Sequence, residues 1–90
     1  MKDEFAGYVF IDVRGGAEYD GGHVLGAINI PLGEISEDHP KLKDLDKKSD
    51  IVVYCAAGGR AEMAKKKLES FGFSNVVNGI NKAEVEKKYF

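Results

Sequence analysis

Apolar residues fall along this chain in short unbroken runs, and the stretches between the runs are polar and punctuated by glycine. Tyr8-Val9-Phe10-Ile11 is the first run, and apolar residues in unbroken succession predict a strand buried on both faces, as in a parallel sheet. Asp12-Val13-Arg14 ends it and Gly15-Gly16 breaks it. Ala17 to Asp20 has room for a single helical turn before Gly21-Gly22 interrupts again. Ala27-Ile28-Asn29-Ile30 predicts a second strand, closed by Pro31, which has no N–H to offer a ladder. Leu32 to Asp38 predicts a turn or short helix. Pro40 to Leu45 predicts a helix with proline near its first position and Leu42 and Leu45 three apart. After the polar connection Lys47 to Asp50, Ile51-Val52-Val53-Tyr54 predicts the central strand.

The clearest helical pattern follows. Ala61, Ala64, Leu68 and Phe71 stand three, four and three residues apart and form one apolar stripe. Glu62 and Lys66, and Lys65 and Glu69, are spaced to pair on its wet side, and Gly72 supplies the stop. Ser74 to Val77 predicts a last short strand, and Lys82 to Tyr89 a final helix anchored by Ala83, Val85 and Tyr89. Strands alternating with helical segments predict an α/β domain: a mainly parallel sheet, right-handed crossovers, and helices on its faces. Such sheets bind ligands beyond the carboxyl ends of their strands. Asp12 and Arg14 lie at one such end, and Cys55 at another.

Composition narrows the chemistry. The 90 residues, 43% hydrophobic and 31% charged, are expected to form one domain spanning 1–90 with a modest core. A formal charge of −2 provides no basic field for nucleic acid. No apolar run approaches a membrane span and the N-terminus lacks the charged-then-apolar pattern of a signal peptide, so a cytoplasmic protein is expected. A mature exported form would read the same way. One cysteine leaves no internal disulfide and no Cys-X-X-Cys pair, and one cysteine with two histidines makes a poor metal set. No metal and no cofactor is therefore expected, and a monomer is the default. Whatever chemistry the chain performs would use a single thiol.

That thiol, Cys55, sits where the central strand meets Ala56-Ala57-Gly58-Gly59-Arg60 and then a helix. A lone cysteine after a strand is ordinarily a small, inert, buried hydrophobe. Here the small residues let the backbone curl with its amides inward, the helix N-terminus adds further N–H groups, and Arg60 adds a charge, all favouring a thiolate. Cys55 is the candidate nucleophile, and Ala56, Ala57, Gly58, Gly59 and Arg60 are the candidate anion cradle. Arg60 suits either an anionic substrate or a loop anchor. Asp12 and Arg14 read first as an ion pair pinning the loop after the first strand, with donor binding as a supporting role. Glu18 reads as a partner for nearby loop groups, His23 as a structural residue, and Lys65-Lys66-Lys67 as a solvated face.

These residues resemble a known family. Asp12-Val13-Arg14, Glu18-Tyr19, Gly22-His23-Val24 and Gly26-Ala27-Ile28-Asn29-Ile30-Pro31-Leu32 are similar to the N-terminal signature of rhodanese-like domains. Ile51 to Cys55 with Gly58, Arg60, Ala64, Leu68 and Gly72-Phe73 resembles the family's active-site strand, loop and helix. The resemblance implies a three-layer α/β/α domain with a four- or five-stranded sheet. It also implies a sulfurtransferase in which Cys55 takes a sulfane sulfur from thiosulfate or a persulfide, carries it as a persulfide, and passes it to cyanide or a thiol. The partners it implies are a small sulfur compound or a protein thiol. A non-enzymatic relay or interaction module is the alternative. Phosphatases of the same fold have five residues between cysteine and arginine, and this chain has four, which makes phosphatase activity the weakest of the three readings. The chain departs from the family in having Ala56-Ala57 where basic or polar residues are common. It also has Asn78-Gly79-Ile80-Asn81 and Val85 where a Gly-Gly pair and a tryptophan usually stand.

Overall fold

A computed structural model describes residues 7–90. Its described residues form a four-stranded, wholly parallel sheet in the order β2-β1-β3-β4, where β1 is Tyr8–Asp12, β2 Ile28–Asn29, β3 Asp50–Cys55 and β4 Val76–Asn81. The helices are α1 (Gly16–Asp20), α2 (Gly59–Ser70) and α3 (Lys82–Tyr89), with a 3-10 turn at Leu32–Glu34.

The unbroken apolar runs are accounted for by the sheet's two buried faces. Ile51, Val53 and Cys55 join Ile11, Val13, Ala61, Ala64 and Leu68 in one core. Val52 and Tyr54 join Phe10, Val24, Val85 and Tyr89 in the other. Strand residues alternate faces, so a strand packed on both sides must be apolar at successive positions. This is the expected three-layer α/β/α arrangement, with four strands.

The predicted stripe of α2 is buried at Ala61, Ala64 and Leu68 and partly buried at Phe71. The helix closes through Gly72 at φ +104°, with the Phe73 N–H on the Leu68 carbonyl (3.2 Å) and the Gly72 N–H on the Glu69 carbonyl (3.0 Å). That pairing is a Schellman stop, sealed by Phe73 and Leu68 in one core. Lys65 pairs with Glu69 at 2.8 Å as the spacing predicts. Glu62 instead accepts a bond from Asn78. On α3, Asn81 caps the Glu84 N–H at 2.8 Å, and Val85 and Tyr89 are buried.

Four expectations change. The helix expected at Pro40–Leu45 is only a run of turns. The Leu42 and Lys43 N–H groups both bond the His39 carbonyl, and the Leu45 N–H bonds that of Leu42. At the start of the segment the Lys41 N–H turns to the His39 ring, and beyond it the Lys48 N–H turns to the Asp46 carboxylate. Leu42 is still buried, so burial of one leucine set the local shape. β2 is shorter than Ala27–Ile30, because only Ile28 and Asn29 meet β1 in register. β4 runs on past Val77 to Asn81, through a bulge opposite Val53–Cys55. Ala83 is exposed and anchors nothing.

Candidate active site

The turn from β3 into α2 builds the site at the carboxyl edge of the sheet. Cys55 ends β3 on the α2 side, where it is 2% exposed, and Gly58 caps α2 at φ +98°, a left-handed conformation suited to glycine. The turn points the Gly58 N–H at the Cys55 Sγ from 3.0 Å and the Ala61 N–H from 3.4 Å. Burial pushes the Cys55 thiol up. The N–H groups of Ala61, Ala57, Gly58 and Arg60 outweigh that and hold it below the ordinary thiol value. Ala56, Ala57 and Gly59 are exposed, so the cradle lies just under the solvent surface. Chemically this is a thiol whose ionisation the surrounding backbone donors favour.

Arg60 is not a free cation above the sulfur. Its Nη1 and Nη2 donate to Glu18 Oε1 and Oε2 at 2.9 and 3.1 Å, a bidentate pair that bridges α2 and α1. Glu18 also accepts the Gly15 N–H at 3.0 Å. The Arg60 hydrogen bonds first, and then the Gly15 N–H, draw the Glu18 carboxyl down to about 2. The pair with Glu18 is a loop anchor, one of the two roles expected for Arg60. Glu18 offsets the loop's one cationic side chain, which weakens its pull on a dianion.

Asp12 and Arg14 are brought together as an ion pair of 2.7 Å, with Asp12 fully buried. Asp12 Oδ1 also accepts the Arg14 N–H at 2.9 Å, and Arg14 Nη2 donates to the Gly22 carbonyl at 2.6 Å. Asn29 Nδ2 donates to the carbonyls of Asp12 and Arg14, both at 3.0 Å. The Arg14 guanidinium lies 5.6 Å from the ring centroid of Tyr54, the residue before Cys55. The pair thus ties the end of β1 to the Gly22 segment and to the last residues of β3. His23 sets Nδ1 2.8 Å from the Tyr19 carbonyl, and its ring stacks on Tyr19 at 3.7 Å, as a structural residue would.

One contributor was not singled out from the sequence. Asn78 Nδ2 donates to the Gly58 carbonyl at 3.1 Å and to Glu62 Oε1 at 3.2 Å, while its Oδ1 accepts the Ile80 N–H at 2.8 Å. In the sequence it stood only as part of Asn78-Gly79-Ile80-Asn81, where the family usually has a Gly-Gly pair. A cleft of about 420 Å³ lined by Val77, Asn78, Ile80, Glu84 and Tyr89, among others, runs beside β4 and α3 and does not include Cys55. Among the described residues no cluster of acidic, histidine or cysteine side chains is arranged to hold a metal, and no helix is long and apolar enough to cross a membrane.

Comparison with known proteins gives a consistent result. Residues 1–81 match the rhodanese-like domain family. Thiosulfate sulfurtransferase PspE of Escherichia coli (strain K12) is 42% identical over 74 residues, covering 82% of this chain and 70% of that protein. Adenylyltransferase and sulfurtransferase UBA4 of Saccharomyces cerevisiae is 37% identical over 83 residues, covering 82% of this chain. YrkF of Bacillus subtilis (strain 168), provisionally named a sulfur carrier protein, is 35% identical over 70 residues and 78% of this chain. The match spans only 36% of YrkF and 19% of UBA4. Among solved structures, a rhodanese with anions from E. coli superposes with a TM-score of 0.76 at 36% identity, covering 86% of this chain and 89% of that one.

Proposed function

The chain belongs to the rhodanese-like domain family, and from that premise we propose that it works as a single-domain sulfurtransferase carrying sulfane sulfur as a persulfide on Cys55. The observation that carries the reading is the pair of peptide N–H groups, from Gly58 and Ala61, directed at Sγ from 3.0 and 3.4 Å. A nucleophilic sulfur must be a thiolate at neutral pH, and a persulfide anion needs donors for its outer sulfur. The same cradle serves both needs, so no separate general base is required.

In the proposed reaction the Cys55 thiolate attacks the outer sulfur of thiosulfate. A new S–S bond forms, the donor's own S–S bond breaks, and sulfite leaves with the bonding pair. The acceptor, cyanide or a thiolate, then attacks the outer sulfur of the persulfide. Thiocyanate or a new persulfide departs, and the electron pair returns to Sγ as the thiolate. Ala56, Ala57, Gly58, Gly59 and Arg60 would surround the transferred sulfur. Asp12 and Arg14 would hold the neighbouring loop without touching it.

A second reading, a relay module that receives sulfur from another persulfide and passes it to a protein thiol, is favoured by one feature. Arg60 is held by Glu18, and Ala56 and Ala57 add no charge, so a dianionic donor finds little net attraction. With four residues between Cys55 and Arg60, the loop is a poor fit for phosphate, whose oxygens need donors on every side. Mass spectrometry after incubation with thiosulfate tests the proposal. An adduct of about 32 Da, one sulfur, is expected on the wild type and absent from Cys55→Ser. An unmodified wild type, or an adduct retained in the serine variant, overturns it. An adduct formed only from a thiol persulfide selects the relay.

A further inference from the structure

We propose that Asn78 is a positioning residue that braces the cysteine loop, holding Gly58 so that its N–H stays aimed at the Cys55 sulfur. The inference rests on Cys55 being the working thiol, as argued above.

Three observations carry it. Gly58 occupies the pivotal position, with φ +98° and its N–H 3.0 Å from Sγ. Its carbonyl receives two bonds, the helical one from the Glu62 N–H at 2.9 Å and a lateral one from Asn78 Nδ2 at 3.1 Å. A carbonyl bonded from two directions fixes the plane of the peptide that follows Gly58, the platform from which the glycine's φ of +98° carries its own N–H towards Sγ. Second, Asn78 has its hydrogen-bonding capacity committed on three sides. Its amide donates to Gly58 and to Glu62 Oε1, and its oxygen takes the Ile80 N–H. An amide on a one-carbon stem supplies two donors and an acceptor at that reach, and a carboxylate or hydroxyl does not. Third, the bond to Ile80 holds a strained residue. Ile80 is β-branched, has φ +75°, and lies in the β4 bulge opposite Val53–Cys55. Its Cγ2 is so placed that a Cβ added at Gly58 would meet it at 3.5 Å. Backbone in that region persists where surroundings over-determine it, and such strain gathers at functional sites. Asn78 and Ile80 together press a strand edge against the loop's one left-handed glycine.

The consequence is read at the thiol. The charged group whose field reaches Cys55 is Arg60, itself paired with Glu18, while Glu62 faces Asn78. Neutral substitutions at Asn78 leave those charges in place, so a shift in Cys55 reports the donors. The test is alkylation of Cys55 by iodoacetamide against pH. Asn78→Ala and the volume-preserving Asn78→Leu should each move the inflection up by about one pH unit, the size of one weakened hydrogen bond to a charged sulfur. Val76→Ala, a core change on the same strand, should lower the melting temperature without moving the inflection. If the folded Asn78 variants titrate like the wild type, the brace is refuted. Should neither variant fold, the unaltered protein decides: scalar coupling across the Asn78 Nδ2–Gly58 carbonyl hydrogen bond is expected in NMR, and its absence refutes the brace. Sulfur chemistry is scored separately by the persulfide mass. A shifted inflection without persulfide keeps the brace and removes the transferase reading, whereas persulfide with an unshifted inflection does the reverse.

Discussion

Substitution of Gly79 by alanine tests whether β4 and α3 are packed as closely as described. A Cβ built on Gly79 falls 2.6 Å from Val85 Cγ2, 2.8 Å from Val52 Cγ1 and 3.3 Å from the Val53 carbonyl oxygen. Both methyls belong to β-branched side chains that have little freedom at χ1, and both valines are 0% exposed. Neither can swing away, so the added carbon must lift α3 or bend β4. Overpacking of this kind costs about 1–3 kcal/mol. In a domain of this size each kcal/mol lowers Tm by about 4–8 °C, so Gly79→Ala should melt roughly 5–20 °C below the wild type. The check is thermal unfolding by circular dichroism, with Gly79→Ala, Val85→Ala and the double variant run together. Removing the Val85 methyls should relieve the closer of the two clashes and leave that with Val52, so the double variant should be more stable than the sum of the single losses predicts, by about 0.5–3 kcal/mol. A single variant within about 0.5 kcal/mol of wild type, or strictly additive losses, would refute the packing argument.

The other predictions concern charge. Glu18→Gln should free Arg60 from its bidentate partner and lower the KM for thiosulfate, with kcat less affected. A raised KM would instead make Glu18 a necessary anchor of the loop. The Glu18 carboxyl titrates near 2 in the folded protein against an ordinary value of 4.5, so its pair with Arg60 contributes stability above about pH 4.5, and that contribution is lost as pH falls towards 2. The acid-unfolding curve of Glu18→Gln should lack that component, and superimposable wild-type and variant curves below pH 4.5 would count against the shift. Asp12→Ala removes three of the four side-chain hydrogen bonds of Arg14, leaving the one to the Gly22 carbonyl, and should destabilise by about 3 kcal/mol, measured in urea, because breaking a buried pair strands the remaining charge. A loss under about 1 kcal/mol would mean that Arg14 reaches water easily.

Much of this protein was written in local patterns. Ile51 to Tyr54, unbroken and apolar, had to be a strand buried on two faces. Ala61, Ala64 and Leu68 had to be one side of a helix, and Gly72 had to end it. Cys55 between them, followed by four residues without bulk, already pointed to a candidate anion cradle, since backbone N–H groups converge where a strand turns through small residues into a helix. What tertiary structure alone decided is who meets whom across the chain. Glu18 claims Arg60 from 42 positions away, and Asn78 reaches Gly58 from 20. Pro40 to Leu45 stayed a set of turns because burying Leu42 did not require a helix. Periodicity reports which residues leave water. The order of parallel strands, set by crossovers that join distant segments, determines which side chains share the space above them.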